Sequence, residues 1–321
     1  MSVALLFSPQ GSQAIGMGRE LASASRAAAD TFRAADGALG WSVSDRAWNG
    51  PEESLNDTRQ TQPCLVATSI ACLGALEEEL TRRHVPLEPA FVAGHSVGEY
   101  AALVAAGSLS VADAVRLVAR RGQLMADADA AGGMLAVIGL DREEVARVVD
   151  GLGLGDDLVV ANDNAPGQVV ISGTPQALAA AAGPMHAAGA RRSIPLKVSG
   201  PFHSPHMAGV GEELTAALAA ADWHDADPPV VSNVTAEPVR DAAEIRTLLA
   251  RQVSSPVEWV RSVRRMAEAG VDTFVECGPG GVLSGMVRRI APGARTLGVF
   301  DLASLAASAD ALAESAIGVP A

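Results

Sequence analysis

Short apolar runs punctuate the chain at residues 3–7, 91–94, 230–234, 273–277 and 295–300. They lack the apolar–polar alternation of a half-exposed sheet, and so predict parallel strands covered on both faces. Between them, apolar residues recur at helical spacing over residues 16–39, 62–83, 97–106, 110–125, 210–221, 242–253, 257–269 and 282–290. The second of these is expected to start near Thr61-Gln62-Pro63, since proline suits a first helical turn. The Ala-rich tail, 301–321, reads as a docked helix. Strands alternating with helices predict an α/β fold.

From about Gly132 the texture changes to shorter elements: strand 134–138, helix 142–149, strands 158–162 and 168–173, helix 175–188 and strand 192–196. That order, βαββαβ, is the ferredoxin-like unit. Asn162, Asn164, Pro166 and Gly167 are expected to form its central turn. The division is therefore a large α/β domain in two parts, 1–129 and 199–321, with a ferredoxin-like small domain, 130–198, inserted between them.

With 321 residues and 49% apolar content the chain can bury a sizeable core. A formal charge of −13 argues against nucleic acid and anionic membrane as partners, because both demand a basic surface. The N-terminal apolar run lacks a positive flank and is too short for a signal peptide or a membrane span, so a cytoplasmic protein is expected. Cys64, Cys72 and Cys277 are scattered, which suits a reducing compartment and gives no metal-ligand spacing.

The chemistry centres on Gly94-His95-Ser96-Val97-Gly98, where an apolar strand gives way to a helix. Gly-x-Ser-x-Gly at such a junction holds a serine hydroxyl exposed on a tight turn, and the Val97 amide at the helix N-terminus is placed to bind a developing oxyanion. Gln10, in the loop leaving the first strand, is either a second oxyanion donor through its amide or a solvated turn residue. Gln62 either points into the cleft or caps its helix. Arg116 and Arg120 read as solvated. Arg121, followed by Gly122 with Met125 one turn on, is placed to enter a pocket, where a guanidinium selects a carboxylate. His203, pinned between Pro201 and Pro205, is the candidate base for Ser96, with His206 the weaker competitor. Gly278-Pro279-Gly280-Gly281 lacks the Lys-Ser/Thr of a phosphate loop and reads as a helix-entry turn. A serine hydrolase or thioesterase acting on acyl thioesters shares this elbow and is the alternative reading.

Taken together, Gln10-Gly11-Ser12-Gln13, Thr61-Gln62-Pro63, Gly94 to Glu99, Arg121-Gly122, Asn162 to Gly173, Phe202-His203-Ser204, Gln252 to Val257 and Glu276 to Gly280 resemble the malonyl-CoA:acyl carrier protein transacylases and the related acyltransferases of polyketide assembly. The resemblance spans nearly the whole chain. It implies an α/β-hydrolase-like large domain with a ferredoxin-like insert. It also implies Ser96 as nucleophile, His203 as its base, Arg121 as the clamp on the malonyl carboxylate, and the amides of Gln10 and Val97 as oxyanion hole. A main-chain carbonyl in the segment of Gln252 would orient the histidine in place of an acid. No permanently bound cofactor or metal is implied; malonyl-CoA is the substrate and an acyl carrier protein, bearing phosphopantetheine, the partner. The chain has Ser8-Pro9 where the family usually has Pro-Gly before the glutamine of Gln10. Phe202 resembles the malonyl-selective members, and the segment around it looks most like free-standing acyltransferases serving polyketide synthases in trans. Arg191, Arg192, Lys197, Arg288 and Arg289 are candidates for a basic patch facing an acidic carrier.

Overall fold

A computed structural model of the chain describes residues 1–128 and 130–317. Among them ten strands lie, in chain order, at Val3–Phe7 (β1), Phe91–Gly94 (β2), Gly133–Ile138 (β3), Leu158–Ala165 (β4), Gln168–Gly173 (β5), Arg192–Pro195 (β6), Val230–Val231 (β7), Pro238–Val239 (β8), Thr273–Cys277 (β9) and Arg295–Val299 (β10). Six form one sheet in the order β10-β9-β1-β2-β7-β8, parallel except for β8, which returns antiparallel to β7. The central strands are buried along their length, as their unbroken apolar sequences require. One face of the sheet packs on helices that include Arg26–Leu39, Thr58–Arg82 and Val111–Asp127, and the other on Trp259–Glu268 and Val282–Ile290.

The other four strands form an antiparallel sheet in the order β4-β5-β3-β6, the ferredoxin-like arrangement, with its own core against the helices Arg142–Leu152 and Pro175–Ala187. β4 is the edge strand nearest the large sheet. Its main chain bonds to the segment around Val257: Val257 N donates to Ala161 O at 2.9 Å, and Asp163 N donates to Val257 O at 3.0 Å.

Several expectations are corrected. Residues 16–39 form two helices, Arg19–Ala24 and Arg26–Leu39, because Ser25 is extended and caps the second by accepting from Ala28 N. The helix expected from residue 62 begins at Thr58, where Asp57 accepts from Arg59 N; Pro63 lies inside it and Gln62 is not a cap. The strand expected over 230–234 stops at Val231, since the chain turns at Ser232–Ala236 to form β8. Asn162 and Asn164 belong to β4, leaving Pro166-Gly167 as the turn. The C-terminal helix is present as Leu302–Ile317, and the remainder of that expectation, residues 318–321, lies outside the described residues. No described helix is long and apolar enough to cross a membrane.

Candidate active site

β1 and β2 are neighbours in register, with Phe7 opposite Gly94, so the loop carrying Gln10 and the turn carrying Ser96 leave the sheet side by side. Ser96 has a positive φ of 52°, the strained backbone of a sharp strand-to-helix turn. The two flanking glycines are demanded by close approach. A Cβ on Gly94 would lie 2.0 Å from the Gly98 carbonyl carbon, and one on Gly98 would lie 2.2 Å from Phe7 O. Val97 precedes the helix Gly98–Ala105, so its amide belongs to the donor-rich N-terminal turn. Among the described residues the Val97 and Gln10 amides have no main-chain acceptor, and the Gln10 side chain is anchored at 3.1 Å on Thr58 Oγ1.

His203, whose φ is also positive at 58°, reaches this turn from the loop that follows the small sheet. Its Nε2 is 2.8 Å from Ser96 Oγ. On the other side of the ring, Nδ1 lies 2.9 Å from Gln252 O and 3.1 Å from Ser255 O. Two carbonyl oxygens oblige Nδ1 to carry the proton, so Nε2 holds a lone pair and accepts from the Ser96 hydroxyl. Burial, and then the Arg121 cation, push the imidazole down to about 3, while the Gln252 carbonyl opposes them. The ring is therefore neutral at pH 7. His206 instead faces Asp157, 3.4 Å away on the small domain.

Arg121 is only 1% exposed. Its Nη1 donates to Gln62 Oε1 at 2.9 Å, and its Nη2 donates to Ser96 Oγ at 3.1 Å and to Gln252 Oε1 at 3.0 Å. Gln62 in turn donates to Met125 Sδ at 3.4 Å, so Gln62, Met125 and the guanidinium form one wall. All of these Arg121 partners are uncharged, and its Nε is buried without any partner among the described residues. A desolvated cation whose direct partners are all neutral, with its nearest acid, Glu99, one amide away behind Gln252, is poised for an anion in direct contact. Arg116 and Arg120 are exposed on the same helix. Phe202 is buried beside His203.

These features match a known domain. The family model described as acyl transferase domain matches residues 4–296. The chain belongs to the acyl transferase domain family. This acyl transferase is 44% identical over 302 residues to the malonyl CoA-acyl carrier protein transacylase of Bacillus subtilis, covering 93% of each chain. It is 40% identical to the protein of that name from Escherichia coli, over 89% of this chain and 92% of that one. Its structure resembles an acyl carrier protein S-malonyltransferase from Vibrio cholerae with a TM-score of 0.90 at 39% identity, covering 96% of this chain and all of the other. It also resembles a malonyl-transacylase solved in complex with a type II polyketide synthase acyl-carrier protein, with a TM-score of 0.90, 38% identity and coverage of 97% and 100%.

Two residues of the acyl transferase's site have no role assigned from the sequence. Asn233, in the unexpected turn after β7, accepts from Ser96 N at 2.6 Å and donates to Gly94 O at 2.6 Å, fastening the elbow from behind. Glu99, buried in the first turn of the elbow helix, accepts from Gln252 Nε2 at 2.7 Å and from Asn233 N at 3.2 Å. Burial raises its carboxyl to about 7. A buried acid three residues after the serine was the available signal; Asn233 had none. The glycine-rich segment 278–281 is accounted for by Glu276, whose carboxylate accepts from Leu283 N at 3.0 Å and Ser284 N at 2.7 Å and so occupies the N-terminus of the helix Val282–Ile290.

Proposed function

We propose that the protein moves a malonyl group from malonyl-CoA to the phosphopantetheine thiol of an acyl carrier protein through a malonyl ester on Ser96. The observation that carries this is the Arg121 guanidinium, buried, bound to neutral partners and within hydrogen-bond distance of the serine oxygen. A free carboxylate on the acyl group supplies the missing anion and fixes the thioester beside Ser96.

In the first half-reaction His203 Nε2 takes the Ser96 proton as Oγ attacks the thioester carbonyl, and the amides of Val97 and Gln10 receive the oxyanion. Collapse breaks the C–S bond, and the proton on Nε2 leaves with the coenzyme A thiolate. In the second half the carrier thiol gives its proton to His203 and attacks the Ser96 ester; the serine oxygen then recovers that proton. Two thioesters and one ester interconvert, so the relay needs no resident cofactor or metal. The Gln252 and Ser255 carbonyls orient the imidazole where a hydrolase of the alternative reading would place a carboxylate.

Phe202 crowds the position of an α-methyl branch, which favours malonyl over methylmalonyl. The carrier docks at the exposed Arg191, Arg192 and Lys197, in and beside the edge strand β6. Arg289 is not free for this: it donates to Gln168 Oε1 at 2.8 Å and to Pro166 O, and Arg288 Nη1 donates to Thr296 Oγ1 at 3.0 Å. The three cysteines are unpaired and buried, in keeping with a cytoplasmic location. The working domain division is 1–129 with 199–321, and 130–198. Incubation with malonyl-CoA and a holo carrier protein tests the function: malonyl-carrier is the expected product, and free malonate with unmodified carrier would establish hydrolysis instead.

A further inference from the structure

Three elements meet behind the nucleophile: the first turn of the helix Gly98–Ala105, the last residue of the helix Ala242–Gln252, and the turn that carries Asn233. Their meeting point is the Gln252 side chain, 1% exposed. Its Nε2 donates to Ser96 O at 3.0 Å and to Glu99 Oε2 at 2.7 Å, while its Oε1 accepts from Arg121 Nη2 at 3.0 Å. A primary amide can sit in either of two orientations. Reversed, it would set its oxygen against a carbonyl and a carboxylate and its NH2 against a guanidinium.

From this we infer that Glu99 is a positioning residue for acyl selection: by holding the Gln252 amide nitrogen it turns the amide oxygen onto Arg121 and so fixes the guanidinium for the acyl carboxylate. The inference rests on the acyl-transfer reading of the site and adds to it a residue that touches neither substrate nor reacting atoms. Without Glu99 the amide nitrogen keeps only Ser96 O, and the amide oxygen that accepts from Arg121 Nη2, beside Ser96 Oγ, is held less firmly. Glu99 also accepts from Asn233 N behind the elbow, a loss that bears on both acyl substrates alike, whereas the Arg121 contact bears on the charged one, so the ratio of the two isolates it. His203 is held by main-chain oxygens, which Glu99 does not contact.

The experiment compares the full-length protein with Glu99→Leu, Glu99→Asp and Glu99→Gln. The readout is the ratio of Ser96 acylation rates with malonyl-CoA and acetyl-CoA, followed by intact mass. A ratio within one preparation is insensitive to the fraction that is folded. Glu99→Leu is expected to lower the ratio about tenfold, the scale of a lost charged hydrogen bond, and Glu99→Asp about threefold, because the shorter acid recedes from Nε2. Glu99→Gln, whose Oε1 takes the place of Oε2, is expected to keep it. Unchanged ratios in the Leu and Asp variants would overturn the inference, as would a Gln variant that falls as far as Leu. If Glu99→Leu does not fold, the Asp and Gln variants decide. Thermal shift with free malonate against acetate separates this from the function itself. Failure of the wild type to take up malonyl, together with a malonate-specific shift lost in Glu99→Asp, would sink the transfer reading and support the positioning. An equal malonate shift in wild type and Glu99→Asp would overturn the positioning.

Discussion

Arg121 and His203 hold the same oxygen: Ser96 Oγ lies 3.1 Å from Arg121 Nη2 and 2.8 Å from His203 Nε2. In the proposed mechanism the cation that selects the acyl group thus also donates to the nucleophile, and it adds to burial in lowering the basicity of the histidine that deprotonates it. In that mechanism a carboxylate arriving on Arg121 offsets the cation's share of the lowering and leaves the larger share, from burial, in place.

Ser96→Ala is expected to abolish covalent labelling. Intact mass after malonyl-CoA treatment should show one malonyl group on the wild type and none on the variant.

Arg121→Ala should lower kcat/KM for malonyl-CoA by about a hundredfold, the worth of a charge-assisted pair in a buried site, while sparing acetyl transfer. Parallel assays with the two thioesters check it; equal losses would contradict a carboxylate clamp.

His203 makes stability depend on pH. Its folded value, about 3, lies below the ordinary imidazole value, so between roughly pH 6.5 and 3 the unfolded chain binds a proton that the folded chain does not, and stability falls as pH falls. Glu99, raised to about 7, acts in the opposite direction between about pH 4.5 and 7. Comparing wild type with His203→Gln cancels the Glu99 contribution. Urea unfolding between about pH 6 and 4 should give a slope of stability on pH shallower in the variant by up to about 1.4 kcal/mol per unit.

Gly98→Ala should destabilise by about 3 kcal/mol or more, because its Cβ would sit 2.2 Å from Phe7 O, main chain that cannot swing aside. Gly285→Ala, at a helical glycine whose nearest neighbour is a side-chain nitrogen 4.0 Å away, is the control and should hold or slightly raise the melting temperature, alanine being the better helix former.

Reversing the charges of Arg191, Arg192 and Lys197 to Glu should raise KM for the carrier about tenfold, with the wild-type advantage shrinking as salt is added. Carrier titrations at two ionic strengths check it.

How much of this was legible depended on whether local sequence decided the outcome. β5, β9 and the helix Val282–Ile290 lie at the residues their patterns delimit, because apolar period and flanking glycines act within a few positions. Of the residues the structure gathers around Ser96 and Arg121, His203 between its prolines and Arg121 on an apolar face stand out in the sequence itself; Gln62 is ambiguous there, Met125 is read only by its spacing from Arg121, and Gln252 comes from the family resemblance alone. Asn164 was misassigned because asparagines before Pro-Gly look like turn chemistry. It lies in β4, where its Oδ1 is 2.7 Å from His95 Nε2, a contact made across the two sheets. Asn233 carries no local signal, and Glu99, although it closes the Gly94 to Glu99 motif, shows nothing there of its role: each acts through a partner more than a hundred residues away.

The clasp between β4 and Val257 carries a mechanical consequence. Ser255, whose carbonyl accepts from His203 Nδ1, is two residues from that clasp, so a displacement of the small lobe at β4 is passed along the main chain to the imidazole. An insertion that loosens the small lobe would be felt as a drifting imidazole.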